Sequence, residues 1–222
     1  MMETTKKGVN KIHSTPPSPP PRLILGSSLI KLMAGIKATR IKAIPGAEFC
    51  HLNKWAYSIE GRDVLRSCKF IIVLCGGNSI SNGMPPHIVF TEAKRSIDIL
   101  KSLSLPLCQI FLSTLPPRPQ IDSQSNGRII FNELVRHSQE DTFSATDGEM
   151  GLLNALDKSP KYNMLNQAER RRGIVHLSNE GIEQLRRNYA RTFGKANRGC
   201  LVPAYIIKKN EIGFKNSYHI SN

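Results

Sequence analysis

The stretch Leu23-Ile24-Leu25-Gly26-Ser27-Ser28-Leu29 decides the fold. Its aliphatic run predicts a short buried strand over Leu23–Leu25, which ends in a Gly-Ser-Ser turn. Glycine at the end of a strand permits a tight turn that a β-carbon would oppose. We expect this turn to raise Ser28 above the carboxyl edge of a sheet, at the start of a helix, where unpaired backbone N–H groups favour negative charge. Because open α/β sheets bind ligands at that edge, Ser28 is a candidate nucleophile.

Apolar runs alternate with helical patterns along the rest of the chain. The run Phe70–Cys75 is continuously apolar between Lys69 and Gly76-Gly77, which indicates a strand buried on both faces, as in a parallel sheet. Further strands are predicted at Arg40–Ile44, Leu107–Ser113 and Thr142–Ala145, and helices at Ser28–Ile36, His87–Ser104, Asn126–Ser138 and Ser178–Phe193. The stretch Leu52–Ser67 is amphipathic and mixed, and we expect its Trp55, Ile59 and Val64 in the core. This alternation predicts a three-layer α/β sandwich with a central parallel sheet of about five strands.

Composition divides the 222-residue chain into three predicted parts. Residues 1–21 are polar and Pro-rich, and we expect them to form a disordered leader. Residues 22–195 are long enough for one well-cored domain, and residues 196–222 form a basic tail.

The cysteines and the apolar segments limit the class of protein. Five cysteines without a CxxC spacing argue against a disulfide framework or a zinc site, and we predict no metal and no cofactor. The N-terminus is not a secretory signal, and no apolar run approaches the ~18–20 residues of a membrane span. We therefore expect an intracellular protein, cytoplasmic or nuclear, with no membrane span.

Positive charge is concentrated late in the chain. The net charge is +14, and the segment Lys158–Lys195 alone holds nine basic and three acidic residues. Such a surface attracts nucleic acid or another polyanion without reading sequence. The alternative is a solvated face that aids solubility, and the composition leaves both open.

Three more residues stand where functional groups are expected. Gly46 follows the predicted second strand, Asn78 follows the third, and His176 precedes the last helix. The backbone N–H groups of Ser28 and Gly46 and the Asn78 amide would form an oxyanion hole, the largest contribution in many acyl-transfer sites. Histidine is the side chain that most often activates a serine.

The order of these motifs resembles the SGNH hydrolases, also called the GDSL esterases and lipases. That superfamily has G-D-S-L after strand one, a Gly in a second block, G-x-N-D after strand three and D-x-x-H before the last helix. The corresponding segments here are Gly26–Leu29, Gly46, Gly76–Ser79 and Gly173–His176. The resemblance covers roughly residues 22–195, is nearest to the retroelement-associated and Oskar-like kind, and implies a flavodoxin-like fold.

Three acidic positions of the superfamily are neutral in this chain. They are occupied by Ser27, Ser79 and Gly173, and the last is the position of the Asp that orients the base histidine. Loss of that Asp lowers turnover by ~10⁴ in Ser-His-Asp enzymes. Asp147 or Glu149, after the predicted fifth strand, is the candidate substitute acid.

Two functions follow from the resemblance and its departures. The first is a serine ester hydrolase acting on a small ester, with Ser28 as nucleophile and His176 as base. The second is a catalytically inactive module that binds RNA or another polyanion through its basic surface. Its predicted phosphate contacts are Arg170, Arg171, Arg172, Arg186, Arg187, Arg191 and Lys195.

Overall fold

The structure is a computed structural model that describes residues 21–31, 33, 35–117, 126–148, 177 and 179–199. The strands are β1 (Arg22–Gly26), β2 (Thr39–Ala43), β3 (Phe70–Leu74), β4 (Gln109–Ser113) and β5 (Ser144–Thr146). The helices are α1 (Phe49–Ala56), α2 (Ile59–Leu65), α3 (Gly77–Ser81), α4 (Pro86–Leu103), α5 (Gly127–Arg136) and α6 (Asn179–Gly199). A single 3₁₀ turn, Ser28–Ile30, follows β1.

The five strands form one parallel sheet in the order β2-β1-β3-β4-β5. The chain runs outward from β1 to β2 and then returns to β3 on the other side of β1. A topological switch point therefore lies between β1 and β3, where sheets of this order bind ligands at their carboxyl edge. The predicted five-stranded parallel sheet is confirmed.

Helices flank the sheet. All five residues of β3 are buried, so both faces of this central strand are covered. Helices α1, α4 and α5 pack side by side as one layer. Helix α6 lies against the face that carries Phe70 and Ser113, because the Phe193 ring is 6.3 Å from that of Phe70 and the Tyr189 hydroxyl reaches Ser113. The predicted three-layer α/β architecture is confirmed.

One helix prediction is wrong, and the amphipathic stretch after α1 begins is divided between two helices. The predicted helix Ser28–Ile36 is only the 3₁₀ turn, and Gly35, with φ +101°, is in the left-handed region that ends a helix. The amphipathic stretch Leu52–Ser67 is divided between α1 and α2, because Ser58 is extended and its Oγ accepts a 3.0 Å hydrogen bond from the Gly61 N–H. Serine in this conformation is a favoured N-cap, so it starts a new helix. Trp55 and Val64 are buried as expected, whereas Ile59 is 75% exposed.

The ends of the chain lie outside the described residues. This holds for residues 1–20 of the predicted leader and for residues 200–222 of the predicted tail. The last helix continues past its predicted end at Phe193 to Gly199. Among the helices that the structure describes, none has the length and apolar character needed to cross a membrane.

Candidate active site

The end of β1 is pressed against the end of β3. A β-carbon at Gly26 would overlap the main-chain carbonyl of Leu74, and the next residue, Ser27, donates its N–H to that carbonyl at 3.2 Å. Only glycine fits there, so the chain leaves β1 in a tight turn. Ser28 is consequently half-buried at the first position of the 3₁₀ turn, at the switch point of the sheet.

The end of β2 is joined to β1 in the same way. The Ile44 N–H donates to the Gly26 carbonyl at 2.8 Å, and the Ala47 N–H closes a turn on the Ile44 carbonyl at 3.1 Å. Gly46, inside this turn, is exposed and has φ +68°, a conformation that costs other residues about 1–2 kcal/mol. The positive φ at Gly46 is thus the local reason for a glycine in this block.

Asn78 ties the end of β3 to the Gly46 turn. Its Nδ2 donates to the Ala47 carbonyl at 3.0 Å, and the buried Cys75 thiol reaches the same carbonyl at 3.5 Å. Gly76 makes the approach possible, since its φ is +110° and a β-carbon there would lie 3.1 Å from Val89 Cγ1. A primary amide has two N–H donors, so Asn78 keeps one beyond its bond to Ala47.

Sequence reasoning missed a second tie between the same two segments. Glu48 is the N-cap of α1, where its carboxylate accepts from the His51 N–H and its own N–H donates to His51 Nδ1 at 3.1 Å. Glu48 Oε1 also accepts a 2.9 Å hydrogen bond from Asn82 Nδ2. The only sequence signal is a capping residue before α1, and nothing local indicates a partner 34 residues away.

The segment that follows β4 is held by a buried amide. Asn132 Oδ1 accepts from the Leu115 N–H at 2.7 Å, and Asn132 Nδ2 donates to the Leu115 carbonyl at 2.9 Å. Arg128 Nη1 also donates to that carbonyl at 3.4 Å. This clamp places the Leu115-Pro116-Pro117 segment at the carboxyl edge of the sheet.

Asp147 is the one candidate orienting acid within the described ranges. It directly follows β5, its Oδ1 accepts from Thr114 Oγ1 at 3.5 Å, and its main-chain carbonyl accepts from Asn188 Nδ2 at 3.3 Å. His176, Gly173 and Glu149 lie outside the described residues, as do Arg170, Arg171 and Arg172. The Ser28–His176 pair and its orienting acid therefore stay predictions.

Burial makes the nearby thiol inert. Burial raises the pKa of Cys75 to about 12, so this thiol stays protonated at neutral pH. Cys75 is therefore not expected to act as a nucleophile at this edge, and Ser28 stays the candidate. Within the described ranges, no group of three or more His, Cys, Asp or Glu side chains is arranged to hold a metal ion.

The predicted basic contacts on α6 fall into two kinds. Arg186 and Arg187 both pair with Glu183, at 2.6 and 3.6 Å, so a carboxylate already offsets part of their charge. Arg191 and Lys195 are exposed, and neither forms an ion pair with any residue that the structure describes. The two kinds are expected to differ in their availability to an anion.

Known proteins match this chain in structure and not in sequence. No protein-family model matches the chain, and no curated protein matches its sequence. A member of the lipolytic G-D-S-L family from Veillonella parvula has a TM-score of 0.60 at 14% identity, with 78% of this chain and 97% of that chain covered. A GDSL-like lipase from Bacteroides thetaiotaomicron has a TM-score of 0.56 at 10% identity, with 82% and 92% covered. A carbohydrate esterase of family 3 from Talaromyces cellulolyticus has a TM-score of 0.56 at 9% identity, with 80% and 98% covered.

These neighbours, together with the strand order, identify the class of fold. The chain has the α/β fold of the SGNH (GDSL) hydrolases, and the fold implied by the sequence resemblance is confirmed. Identities of 9–14% establish the fold alone, so the chemistry of this chain rests on its own residues.

Proposed function

We propose that this chain is a serine-dependent carboxylic ester hydrolase acting on small esters. One observation carries the proposal: the ends of β1, β2 and β3 are tied together at the switch point, with Asn78 Nδ2 3.0 Å from the Ala47 carbonyl. Ser28, Gly46 and Asn78 come two, three and four residues after these three strand ends. A hydroxyl and amide donors at one edge of a sheet are the groups that acyl transfer uses.

The reaction proceeds in two halves. Ser28 Oγ attacks the ester carbonyl while His176 takes its proton, and the oxyanion is held by the N–H groups of Ser28 and Gly46 and the second amide proton of Asn78. Collapse of this intermediate breaks the ester C–O bond, and His176 returns the proton to the departing alcohol. Water then attacks the acyl-serine with His176 again as base, which releases the acid and restores Ser28.

The test is a matched pair of serine variants assayed on short p-nitrophenyl esters. Ser28→Ala is expected to abolish turnover, whereas Ser102→Ala, at the exposed far end of α4, is expected to leave it unchanged. Asn78→Ala is expected to lower kcat by about 10²–10³, the usual loss of one oxyanion donor. A Ser28→Ala variant with wild-type turnover would rule out the proposal.

The orienting acid is assigned by a second pair of variants. Asp147 directly follows β5, and we propose it as the replacement for the acid that the superfamily has at the position of Gly173. If Asp147 orients His176, Asp147→Asn lowers kcat by roughly 10³–10⁴, while Glu149→Gln has little effect. The reverse pattern would assign the role to Glu149. Losses below tenfold in both variants would contradict both assignments.

The inactive, polyanion-binding module is the second candidate. The observation in its favour is a stripe of exposed cations at Arg187, Arg191 and Lys195, spaced by one helical turn along α6. Binding to a mixed-sequence RNA that weakens steeply between low and moderate salt is expected for phosphate contacts. RNA binding that is insensitive to salt would contradict this second function.

A further inference from the structure

A separate cavity of about 390 Å³ lies between β5 and α6. Since β5 is the edge strand, three positions from β1 in the sheet, this cavity is roughly 14 Å from the Ser28 strand at the usual strand spacing. Its volume falls in the range of about 300–1,000 Å³ that holds small molecules. The residues that give it chemical character are Phe111, Asp147, Asn188, Arg191, Thr192 and Lys195.

The cavity is lined by two cations of α6, Arg191 and Lys195, that form no ion pair with any residue that the structure describes. Arg191 and Lys195 are one helical turn apart on the same face, where like charges repel each other. Arg186 and Arg187, which share Glu183, do not line it. A guanidinium offers a planar fork of donors and an ammonium a mobile point charge, a combination suited to a phosphoryl group.

The cavity is also polarised along α6. Asn188 contacts the Asp147 carbonyl, and Thr192 Oγ1 lies 2.6 Å from Thr146 Oγ1. These two contacts fix which residues of β5 and α6 lie opposite each other. Asp147 is therefore beside the Asn188 end, and Lys195 is seven residues further along, about 10 Å at the helical rise of ~1.5 Å per residue. Lys195 therefore lies at the end opposite Asp147, and Arg191, which is three residues from Asn188, lies between them.

This arrangement of charges favours a ligand whose two ends differ in chemistry. A bare dianion is attracted at one end of the cavity and repelled at the other by the Asp147 carboxylate. A molecule with a phosphoryl group at one end and hydroxyls at the other satisfies both ends, since a carboxylate accepts several hydrogen bonds at once. The Phe111 side chain adds an apolar surface to the lining of the cavity.

We propose that this cavity binds a small phosphomonoester that carries hydroxyl groups, such as a sugar phosphate. The phosphoryl group lies between Arg191 and Lys195, and the hydroxyl end faces Asp147 and Asn188. None of the residues that follow β1, β2 and β3 lines the cavity, but Asp147, the candidate orienting acid of the proposed hydrolase, does. Arg191 and Lys195 have no part in the proposed hydrolysis, so their variants test phosphomonoester binding separately from ester turnover.

The experiment is calorimetric titration of the whole chain with ribose 5-phosphate, inorganic phosphate and ribose. Ribose 5-phosphate is expected to bind saturably at one site, inorganic phosphate at least several-fold more weakly, and ribose not measurably. Arg191→Gln and Lys195→Gln are each expected to weaken binding about tenfold, the effect of losing one charge-assisted contact. Arg187→Gln is the matched control on the same helix, and it is expected to change affinity by less than twofold.

Three outcomes would overturn the proposal. If Arg187→Gln weakened ribose 5-phosphate binding as much as the other two variants, the ligand would be attracted by the overall positive potential of α6 rather than by contacts inside the cavity. Inorganic phosphate binding as tightly as ribose 5-phosphate would show that the hydroxyl end is not recognised. Binding of a mixed-sequence RNA without saturable binding of ribose 5-phosphate would assign these cations to a polyanion surface.

Discussion

Asn82 Nδ2 donates a 2.9 Å hydrogen bond to Glu48 Oε1, which joins the turn after β2 to the end of α3. The bond runs beside the one from Asn78 to the Ala47 carbonyl, so two side chains from the β3 end hold the Gly46 turn. An oxyanion donor on a turn is useful only if the turn keeps its place relative to the other donors. Asn82 and Glu48 are therefore expected to be positioning residues for the proposed reaction.

Replacement of Asn82 tests this positioning role. Asn82→Ala is expected to lower kcat/KM on a short ester about tenfold and the free energy of unfolding by about 1 kcal/mol, the usual worth of such a bond. Asn82→Asp is expected to be worse, because it sets two carboxylates against each other.

A swapped pair is the control for the Asn82 variants. Glu48→Gln in the Asn82→Asp background exchanges donor and acceptor and should restore most of the lost kcat/KM and stability. A swapped variant no better than Asn82→Asp alone would contradict the positioning role. If Ser28→Ala also leaves turnover intact, the hydrolase itself fails, and the stability readout still tests the hydrogen bond.

Alanine substitutions at three glycines are expected to change the free energy of unfolding by three different amounts. Gly26→Ala is expected to cost several kcal/mol, because the β-carbon meets the Leu74 carbonyl in the centre of the sheet. Gly46→Ala is expected to cost about 1–2 kcal/mol, since φ is +68° but nothing lies within 4 Å of the added carbon. Gly194→Ala, inside α6 and in open space, is expected to stabilise by about 0.5–1 kcal/mol. Urea unfolding measures all three, and any other order would contradict these local accounts.

The sequence predicted the sheet well because its signals are local. The continuous apolar run at Phe70–Leu74 is buried at every position, as parallel strands between two helical layers must be. Gly26 and Gly46 were placed at strand ends by turn chemistry alone, and both have steric or dihedral reasons to be glycine. The predicted β4 over Leu107–Ser113 begins only at Gln109, because strand ends depend on pairing partners rather than on hydrophobicity.

The parts of the candidate site that sequence reasoning missed are long-range polar contacts. Asn82 and Glu48 are 34 residues apart, and neither stands in a motif of the superfamily. The two hydrogen bonds of Asn132 join it to Leu115, 17 residues earlier in the chain, and no local pattern indicates that pairing. The cavity between β5 and α6 depends on the register of Thr146 with Thr192, which no periodicity encodes.

Asn132 is expected to be one of the most sensitive polar residues in the described part of the chain. It is fully buried, and it satisfies both main-chain groups of Leu115. Asn132→Leu keeps the approximate volume but leaves a buried N–H and carbonyl with fewer partners, which we expect to cost about 2–4 kcal/mol. The same substitution at Asn197, an exposed residue near the end of α6, is the control and should stay within about 0.5 kcal/mol in the same urea unfolding experiment. A loss below 1 kcal/mol for Asn132→Leu, roughly the worth of one ordinary hydrogen bond, would contradict the clamp.

Tyr189 and Ser113 form a buried pair that a double-mutant cycle tests. The Tyr189 hydroxyl donates to Ser113 Oγ at 2.7 Å, and Ser113 Oγ donates onward to the Thr114 carbonyl. Burial raises the pKa of Tyr189, so its hydroxyl is a donor at all ordinary pH values. Tyr189→Phe is expected to lower the free energy of unfolding by about 1 kcal/mol. Ser113→Ala is expected to lower it by about 2 kcal/mol, because the buried Tyr189 hydroxyl then loses its acceptor. The double variant should cost clearly less than the sum of the two. Strict additivity would mean that the hydroxyls do not interact.

The cysteines predict a pattern of chemical reactivity that follows from burial. Burial raises the pKa of Cys68 to about 12, that of Cys75 to about 12 and that of Cys108 to about 11. A raised pKa means that the folded protein holds these thiols protonated from neutral pH up to about pH 11, while the unfolded chain ionises them near pH 9. Stability is therefore expected to decline as the pH rises above about 9. Cys50 is exposed, and thiolates rather than thiols react with iodoacetamide.

Labelling with iodoacetamide at about pH 8, followed by peptide mass spectrometry, is the measurement. Cys50 is expected to react at the rate of a free thiol, and the three buried cysteines to react at least about 10²-fold more slowly until urea unfolds the chain. Cys50→Ser is the matched control, since it should remove labelling at position 50 and leave the slow labelling of Cys68, Cys75 and Cys108 unchanged. Rapid labelling of Cys75 in the folded protein would mean that the end of β3 opens to solvent, and it would contradict the closed strand edge on which the Asn78–Ala47 contact depends.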